Sequence, residues 1–168
     1  MDELKIIKEI EYYNCLPFVF DDFFDLPKLT DGEISLKCTL KNPACDEKGW
    51  TPFYNFNIIL NGEIVGDANV RIGYTEGLYY CGHIGYNVDA AYRGRGIAVA
   101  ACHLLAVVAK MHKMTKLLIC NDEKNIASRR VCEKLGAKYI RTADMPKWHN
   151  LYKEQGLNSI NIYEWGIT

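Results

Sequence analysis

Proline is scarce in this chain, and so is any excess of charge. The 168 residues hold five prolines, and 20 Lys+Arg stand against 21 Asp+Glu for a formal net charge of −1. A chain so close to neutral lacks the basic bias on which non-specific nucleic-acid binding rests. No repeat of about 20–50 residues and no Pro/Ser-rich linker divides it. Long hydrophobic runs are missing too. The longest uncharged apolar stretch, Gly96 to Ala109, has about fourteen residues against the roughly twenty of a membrane span. Met1-Asp2-Glu3 opens no basic region followed by an apolar core, so no signal peptide is expected. There is no Cys-x-x-Cys pair. The seven cysteines (15, 38, 45, 81, 102, 120 and 132) are odd in number and not spaced for a zinc site or disulfide framework. They read as reduced thiols packed as small hydrophobes, which predicts a cytoplasmic protein with no metal, nucleic-acid or membrane partner. Hydrophobic residues at 49% and charged residues at 24% are ordinary for a globular chain. The length predicts a single domain over 1–168.

Within it, residues 1–32 form an N-terminal arm of weak signal. Its acidic-aromatic part, Phe18 to Leu29, is compatible with a short helix or an irregular segment. Ile34 to Leu40 reads as a strand. Phe53 to Leu60 is a second strand, and Asn61-Gly62 is the dipeptide that favours a two-residue hairpin turn. The return strand, Glu63 to Tyr74, sets Ile64, Ala68, Val70 and Ile72 on one face and Asp67, Asn69 and Arg71 on the other. A turn over 73–77 then leads to a strand from Leu78 to Val88, completing an antiparallel meander. Thereafter the period changes. Ile97, Ala101, Leu104, Leu105, Val108 and Met111 recur at helical spacing, with Ala98, Ala100 and Val107 opposite, as in a helix buried on more than one side. Lys116 to Cys120 is a short apolar strand. Asn125 to Leu135 is a second helix stopped by Gly136. Ala137 to Arg141 and Ser159 to Trp165 are the last strands, separated by a loop over Thr142 to Leu157 that is long enough to suspect function. The order predicts an α/β fold with a mixed, mostly antiparallel central sheet flanked by helices.

The informative stretch is Tyr92-Arg93-Gly94-Arg95-Gly96-Ile97-Ala98, where the meander enters the long helix. A helix N-terminus carries partial positive charge and unpaired N–H groups, and so favours acidic residues. This one begins with two arginines and no acid. The arrangement becomes favourable once an anion sits where N–H and guanidinium groups converge. Gly94, Gly96 and Ala98 let a phosphate approach the backbone. No Walker string Gly-x-x-x-x-Gly-Lys-Ser/Thr exists. A dinucleotide fingerprint fails at its third glycine, which is Val99, and the preceding strand belongs to a meander.

These residues resemble a family. Val88 to Ala98, with Arg93-x-x-Gly96-x-Ala98, is similar to the acetyl-CoA pyrophosphate motif Arg/Gln-x-x-Gly-x-Gly/Ala of the GNAT superfamily of N-acetyltransferases. Asn125 to Gly136, reading Asn-Ile-Ala-Ser-Arg-Arg-Val-Cys-Glu-Lys-Leu-Gly, resembles that superfamily's second motif, in the form found in the ribosomal-protein-alanine acetyltransferase-like branch. The likeness covers about residues 53–141. It implies a GNAT-like acyl-CoA fold with splayed central strands, in which the pantetheine arm lies along Tyr86 and Val88 backbone groups. It also implies that Arg93, Gly94, Arg95, Gly96, Ile97 and Ala98 hold the pyrophosphate, and that Asn125 and Ser128 are polar contacts on the opposite wall. Asn125 is equally an ordinary helix N-cap, and the two roles are compatible.

The reaction so implied is direct attack of a neutral amine on the thioester of acetyl-CoA, a co-substrate, in a ternary complex. A base is expected on the central strand, where His83 is the only histidine; packing among sheet residues is the alternative role for it. Many relatives place a tyrosine in the second motif to protonate the leaving thiolate, and here that position is Cys132. Trp50, Phe53 and Tyr54, with Trp148, His149 and Tyr152 of the long loop, are candidates to line an acceptor pocket or to anchor the loop by packing. The acceptor is a small-molecule or peptide amine, and homodimer formation is left open. Two rivals stand: a non-catalytic acyl-CoA-binding or regulatory module with the same fold, and a nucleotide enzyme that uses the anion turn.

Overall fold

The Asn61-Gly62 turn folds as its sequence predicts in a computed structural model that describes residues 3–168. Asn61 and Gly62 take φ of 51° and 78°, the left-handed pair a tight hairpin needs, and Leu60 faces Glu63 across it. The turn joins β3 (Phe53–Leu60) to β4 (Glu63–Arg71). Met1 and Asp2, on which the expected lack of a signal peptide partly rests, lie outside the described residues.

The chain forms two compact units. One comprises Phe18–Gly73, Ile84–Thr115 and Ile167–Thr168. Its sheet runs in the order β1 (Leu29–Thr30), β2 (Ile34–Asn42), β3, β4 and β5 (Ile84–Val88), every neighbour antiparallel. The long helix α3 (Ile97–Met111) packs on β2, β4 and β5. Alternation on β3 buries Tyr54, Phe56, Ile58 and Leu60. On β4 the predicted alternation fails at its start. A bulge opposite Ile58 and Ile59 inserts one residue, so Val65 is buried and Ile64 is 60% exposed. Ile64 therefore does not share the face of Ala68 and Val70.

Residues 18–28 are irregular, without the short helix that was one expectation for them. They are held by hydrogen bonds instead. Val19 N–H donates to the His112 carbonyl (2.7 Å), and His112 Nδ1 donates to the Val19 carbonyl (2.9 Å). That leaves His112 Nε2 to accept from the Tyr54 hydroxyl at 2.7 Å, whose oxygen in turn accepts from Phe24 N–H. Phe20 stacks on the same imidazole.

The other unit comprises the chain up to Pro17, Tyr74–His83 and Lys116–Gly166. Its three-stranded antiparallel sheet runs β6 (Lys116–Asn121), β8 (Ser159–Gly166), β7 (Lys138–Asp144). The expected strand from Leu78 to Val88 is shorter, because residues 76–81 form helix α2 (Glu76–Cys81) and β5 begins only at Ile84. Thr75 caps α2 by accepting from Leu78 N–H at 3.2 Å, and Gly82 (φ 80°) ends it. Leu78, Tyr79 and Tyr80 are all buried, so three consecutive apolar residues here belong to a helix. The N-terminal arm contains a helix, α1 (Glu3–Asn14), with only Tyr13 buried. Glu9 of α1 pairs with Arg141 of β7 and accepts from the Tyr79 hydroxyl, while Tyr13 donates to Glu164 of β8. Helix α4 (Ile126–Leu135) follows β6 and ends at Gly136, as predicted. The long loop is shorter than expected: β7 runs on to Asp144, and α5 (Asn150–Gln155) fills its second half.

Candidate functional site

Strand β5 is an edge strand of its sheet, with β4 on one side. Asp89 N–H bonds the Val65 carbonyl, which fixes the pairing phase. Asn87–Asp67 and Gly85–Asn69 are then the hydrogen-bonded pairs, and Tyr86–Ala68 and Val88–Gly66 the others. The peptide groups of Tyr86 and Val88 therefore turn away from β4. One of them is engaged: the Val88 carbonyl accepts from Arg93 Nε at 2.9 Å.

That bond anchors Arg93 at the start of the turn into α3. Gly94 and Gly96 sit at φ 79° and 76°, and Arg95 between them is not in the left-handed region. Left-handed glycines on either side of Arg95 leave the backbone at the start of α3 bare for close approach of an anion. An added Cβ at either glycine would meet nothing within 4 Å. The backbone conformation, not crowding by the protein, requires glycine there, and the space above both residues is clear. Gly96 caps α3 without a side chain, and no acidic residue occupies the first turn. Arg93 to Gly96 are exposed, Ile97 is buried and Ala98 half-buried. A supporting contact is missing from the sequence reading: Arg95 lies over the Tyr92 ring at 5.3 Å, and the Tyr92 hydroxyl donates to Glu63 at 3.1 Å. An aromatic three residues before an arginine was its available signal. Positive side chains, bare N–H groups and open space thus converge at one helix end, which suits a diphosphate.

The remaining predicted residues lie in the other unit. Asn125 caps α4, its Oδ1 accepting from Ser128 N–H at 3.1 Å, and Ser128 is buried. The N-cap role of Asn125 is thereby realised.

His83 does not have the geometry of a general base. It is fully buried, and its Nδ1 accepts from Leu118 N–H at 2.8 Å while its backbone N–H donates to the Leu118 carbonyl at 2.8 Å. The accepting nitrogen is committed to main chain, so the proton resides on Nε2 and no lone pair is left for an incoming proton. Cys132 fails as an acid for a different reason. Its side chain is fully buried, and burial pushes the thiol pKa up to about 12, against a smaller lowering by the Asn121 amide 3.7 Å away. A thiol held that high is a poor donor to a thiolate of ordinary pKa, about 8.5.

The aromatic candidates divide. Tyr54 is fully buried and bonded to His112. His149 accepts from Leu151 N–H to cap α5 and donates to the Gly77 carbonyl. Trp148 is half-exposed against Tyr80, and Trp50 packs beside Phe53 under Lys48. Among the described residues, no group of three His, Cys, Asp or Glu is placed to hold a metal ion, and no helix is long and apolar enough to cross a membrane.

Comparison with solved structures returns acetyltransferases. An enzyme from Salmonella typhimurium that modifies the N-terminal serine of ribosomal protein L7/L12 shares 19% identity over 73% of this chain and 67% of its own (TM-score 0.54). RimJ of Mycobacterium smegmatis, in complex with CoA-disulfide, shares 21% over 68% and 53% (TM-score 0.54). The microcin C7 self-immunity acetyltransferase MccE, in complex with acetyl-CoA and AMP, shares 19% over 72% and 62% (TM-score 0.52). At such identities the likeness establishes a shared fold. This chain spans less than two thirds of RimJ and of MccE. A comparison with curated proteins finds no match. The family model described as Acetyltransferase (GNAT) domain matches residues 28–138, well over half of the sequence. An α/β fold of antiparallel sheets and flanking helices, an arginine- and glycine-rich turn opening α3, and that match together place this chain in the GNAT family of acetyltransferases.

Proposed function

We propose that the protein transfers an acetyl group from acetyl-CoA to a primary amine by direct attack in a ternary complex. The observation that carries this reading is the turn Arg93-Gly94-Arg95-Gly96, two left-handed glycines and two arginines at a helix end without a side-chain cap. Arg93, Gly94, Arg95, Gly96, Ile97 and Ala98 hold the pyrophosphate, and the outward peptide groups of Tyr86 and Val88 receive the pantetheine amides. Asn125 and Ser128 are carried as further polar contacts to coenzyme A on the strength of the second motif. An acceptor bound as ammonium first gives a proton to solvent water. The neutral amine nitrogen then bonds to the acetyl carbon as the carbon–sulfur bond breaks, and coenzyme A leaves as thiolate. The second proton shed by the nitrogen passes to solvent. With a thiol pKa near 8.5, that departure needs little help from an acid, and Cys132 supplies none. Acetyltransferases of ribosomal protein L7/L12 among the structural neighbours make a peptide N-terminus the first acceptor to test, with small amines next. Seven free cysteines support a reducing, cytoplasmic setting.

Calorimetry tests the donor site. Combining Arg93→Glu with Gly96→Glu sets two carboxylates against the diphosphate and abolishes acetyl-CoA binding in a protein whose circular dichroism is unchanged. Undiminished affinity in the folded double variant refutes the site. One observation favours a second reading, an acyl-CoA-binding regulator: the motif position that carries tyrosine in many relatives is a buried, protonated cysteine. Thiol release from acetyl-CoA in the presence of an amine panel separates the two, since a regulator releases none above background.

A further inference from the structure

The five-stranded sheet has a second face, opposite α3, and over β4 and β5 that face is polar. In register, Asn55, Asn69 and Gly85 make one cross-strand row, and Asn57, Asp67 and Asn87 the next. A face built to meet an apolar layer would carry hydrophobic residues at these positions. Here they are amides, a carboxylate and a glycine.

Three details single out Asn69. Its Oδ1 is shielded from solvent and, among the described residues, accepts no hydrogen bond. An orphaned acceptor is a standing cost that a donor removes. Gly85 faces it and is not in the left-handed region, so its backbone alone does not call for glycine. An ideal Cβ on Gly85 would stand 3.0 Å from Asn69 Nδ2 and 3.1 Å from Oδ1, so the bare position is what seats the amide. Asp67, two residues before Asn69 on the same strand face, is exposed, with neither ion pair nor hydrogen bond among the described residues. Its in-register neighbours, Asn57 and Asn87, carry no charge to oppose it.

An acceptor oxygen without a donor and a carboxylate without a cation call for the same partner, a cation that carries N–H. Both stand on β4 beside Gly85 and Asn87, the residues that flank Tyr86 of the proposed donor strand. We propose that Asn69 and Asp67 hold the ammonium of the amine acceptor, Asn69 Oδ1 receiving its N–H and Asp67 balancing its charge. This rests on the acetyl-transfer reading for its role, though not for its chemistry.

The test therefore uses a simple cation and the full chain without acetyl-CoA. Ethylammonium chloride is titrated at constant ionic strength while the side-chain amide resonances of Asn69 are followed by nitrogen-15 NMR, with tetramethylammonium as a cation that has no N–H. The expected result is a saturable shift with ethylammonium and none with tetramethylammonium. Asp67→Asn, an exposed change that leaves folding intact, should weaken the binding about threefold, as for a partly solvated ion pair. Gly85→Ala should weaken the binding by pressing the amide a few tenths of an ångström from its seat. No saturable shift, an equal response to tetramethylammonium, or an Asp67→Asn protein that binds as well as the parent overturns the proposal. Acetyl-CoA calorimetry on the same preparation separates the two readings. If Asn69 responds and acetyl-CoA does not bind, the transfer reading fails and the cation site stands; if acetyl-CoA binds and Asn69 is silent, the reverse holds.

Discussion

Replacing His83 by alanine should damage stability far more than catalysis. The imidazole Nδ1 accepts from Leu118 N–H at 2.8 Å in a fully buried position, beside the 2.8 Å bond from the His83 backbone N–H to the Leu118 carbonyl, and the ring meets Tyr74 edge-on at 4.9 Å. Alanine leaves the Leu118 N–H without its acceptor, which costs about 1–3 kcal/mol. Loss of the aromatic pair adds about 0.5–1.5 kcal/mol, and the void left by the ring adds more, for a sum of roughly 3–5 kcal/mol. Against a total stability of about 5–15 kcal/mol, that is a large fraction. With a urea slope of about 2 kcal/mol per molar, the unfolding midpoint should fall by about 2 M. Asparagine places a carbonyl oxygen where Nδ1 stands and should recover part of the loss. Below the unfolding transition, kcat of the asparagine variant at saturating acetyl-CoA and amine should stay within about threefold of the parent, whereas removal of a general base costs about 10²–10⁴-fold. An asparagine variant as stable as the parent but a hundredfold slower would show that the histidine moves protons after all.

Two further outcomes follow from residues that hold each unit together. Burial holds the His112 pKa below its ordinary value, against a smaller opposing effect of the Val19 carbonyl, so its neutral ring is the form that fits Tyr54 and Val19. The folded pKa therefore lies below the unfolded one, near 6.5. The resulting stability is complete above about pH 6.5 and is lost as pH falls through the folded value. Urea midpoints of the parent should thus decline faster between about pH 7 and 5 than those of His112→Gln; parallel curves would reject the assignment. In the other unit, Gly82 adopts φ 80° and ψ 168°, a region nearly closed to other residues, and an added Cβ would lie 2.9 Å from the Leu118 carbonyl oxygen and 3.0 Å from Cys120 N. Gly82→Ala should lower Tm by about 10 °C, at roughly 2–4 °C per kcal/mol for a chain of this size; a fall below about 3 °C would contradict the clash.

The long helix α3 was legible because its apolar residues repeat over fifteen positions, and the Asn61-Gly62 turn because only certain residues tolerate two left-handed φ values in succession. The donor turn was legible for an electrostatic reason: arginines are out of place at a bare helix N-terminus unless something negative joins them. Helix α2 was hidden because Leu78, Tyr79 and Tyr80 suit a buried strand as well as a buried helix turn. Its only local signals were Thr75 before Glu76 and the closing Gly82. Helix α1 was hidden because it buries one residue, Tyr13, and is fixed by long-range pairs such as Glu9–Arg141 that no local pattern announces. The Val65 bulge inverted one position of an otherwise correct alternation. His83 was found by sequence as the only histidine near the expected site, but its role depends on Leu118, thirty-five residues away.

The bare Cα of Gly85 beneath the Asn69 amide also constrains the order in which this protein can change. A side chain arriving first at position 85 crowds the amide and weakens its hold on a ligand. Shortening Asn69 first removes the obstacle, after which an alanine at position 85 becomes harmless to the strand. The two positions are thus expected to be epistatic, with alanine at 85 costly in the parent and nearly free in an Asn69→Gly background. A lineage that shortened Asn69 first could fill position 85 freely, whereas restoring asparagine over the filled position would meet a crowded seat.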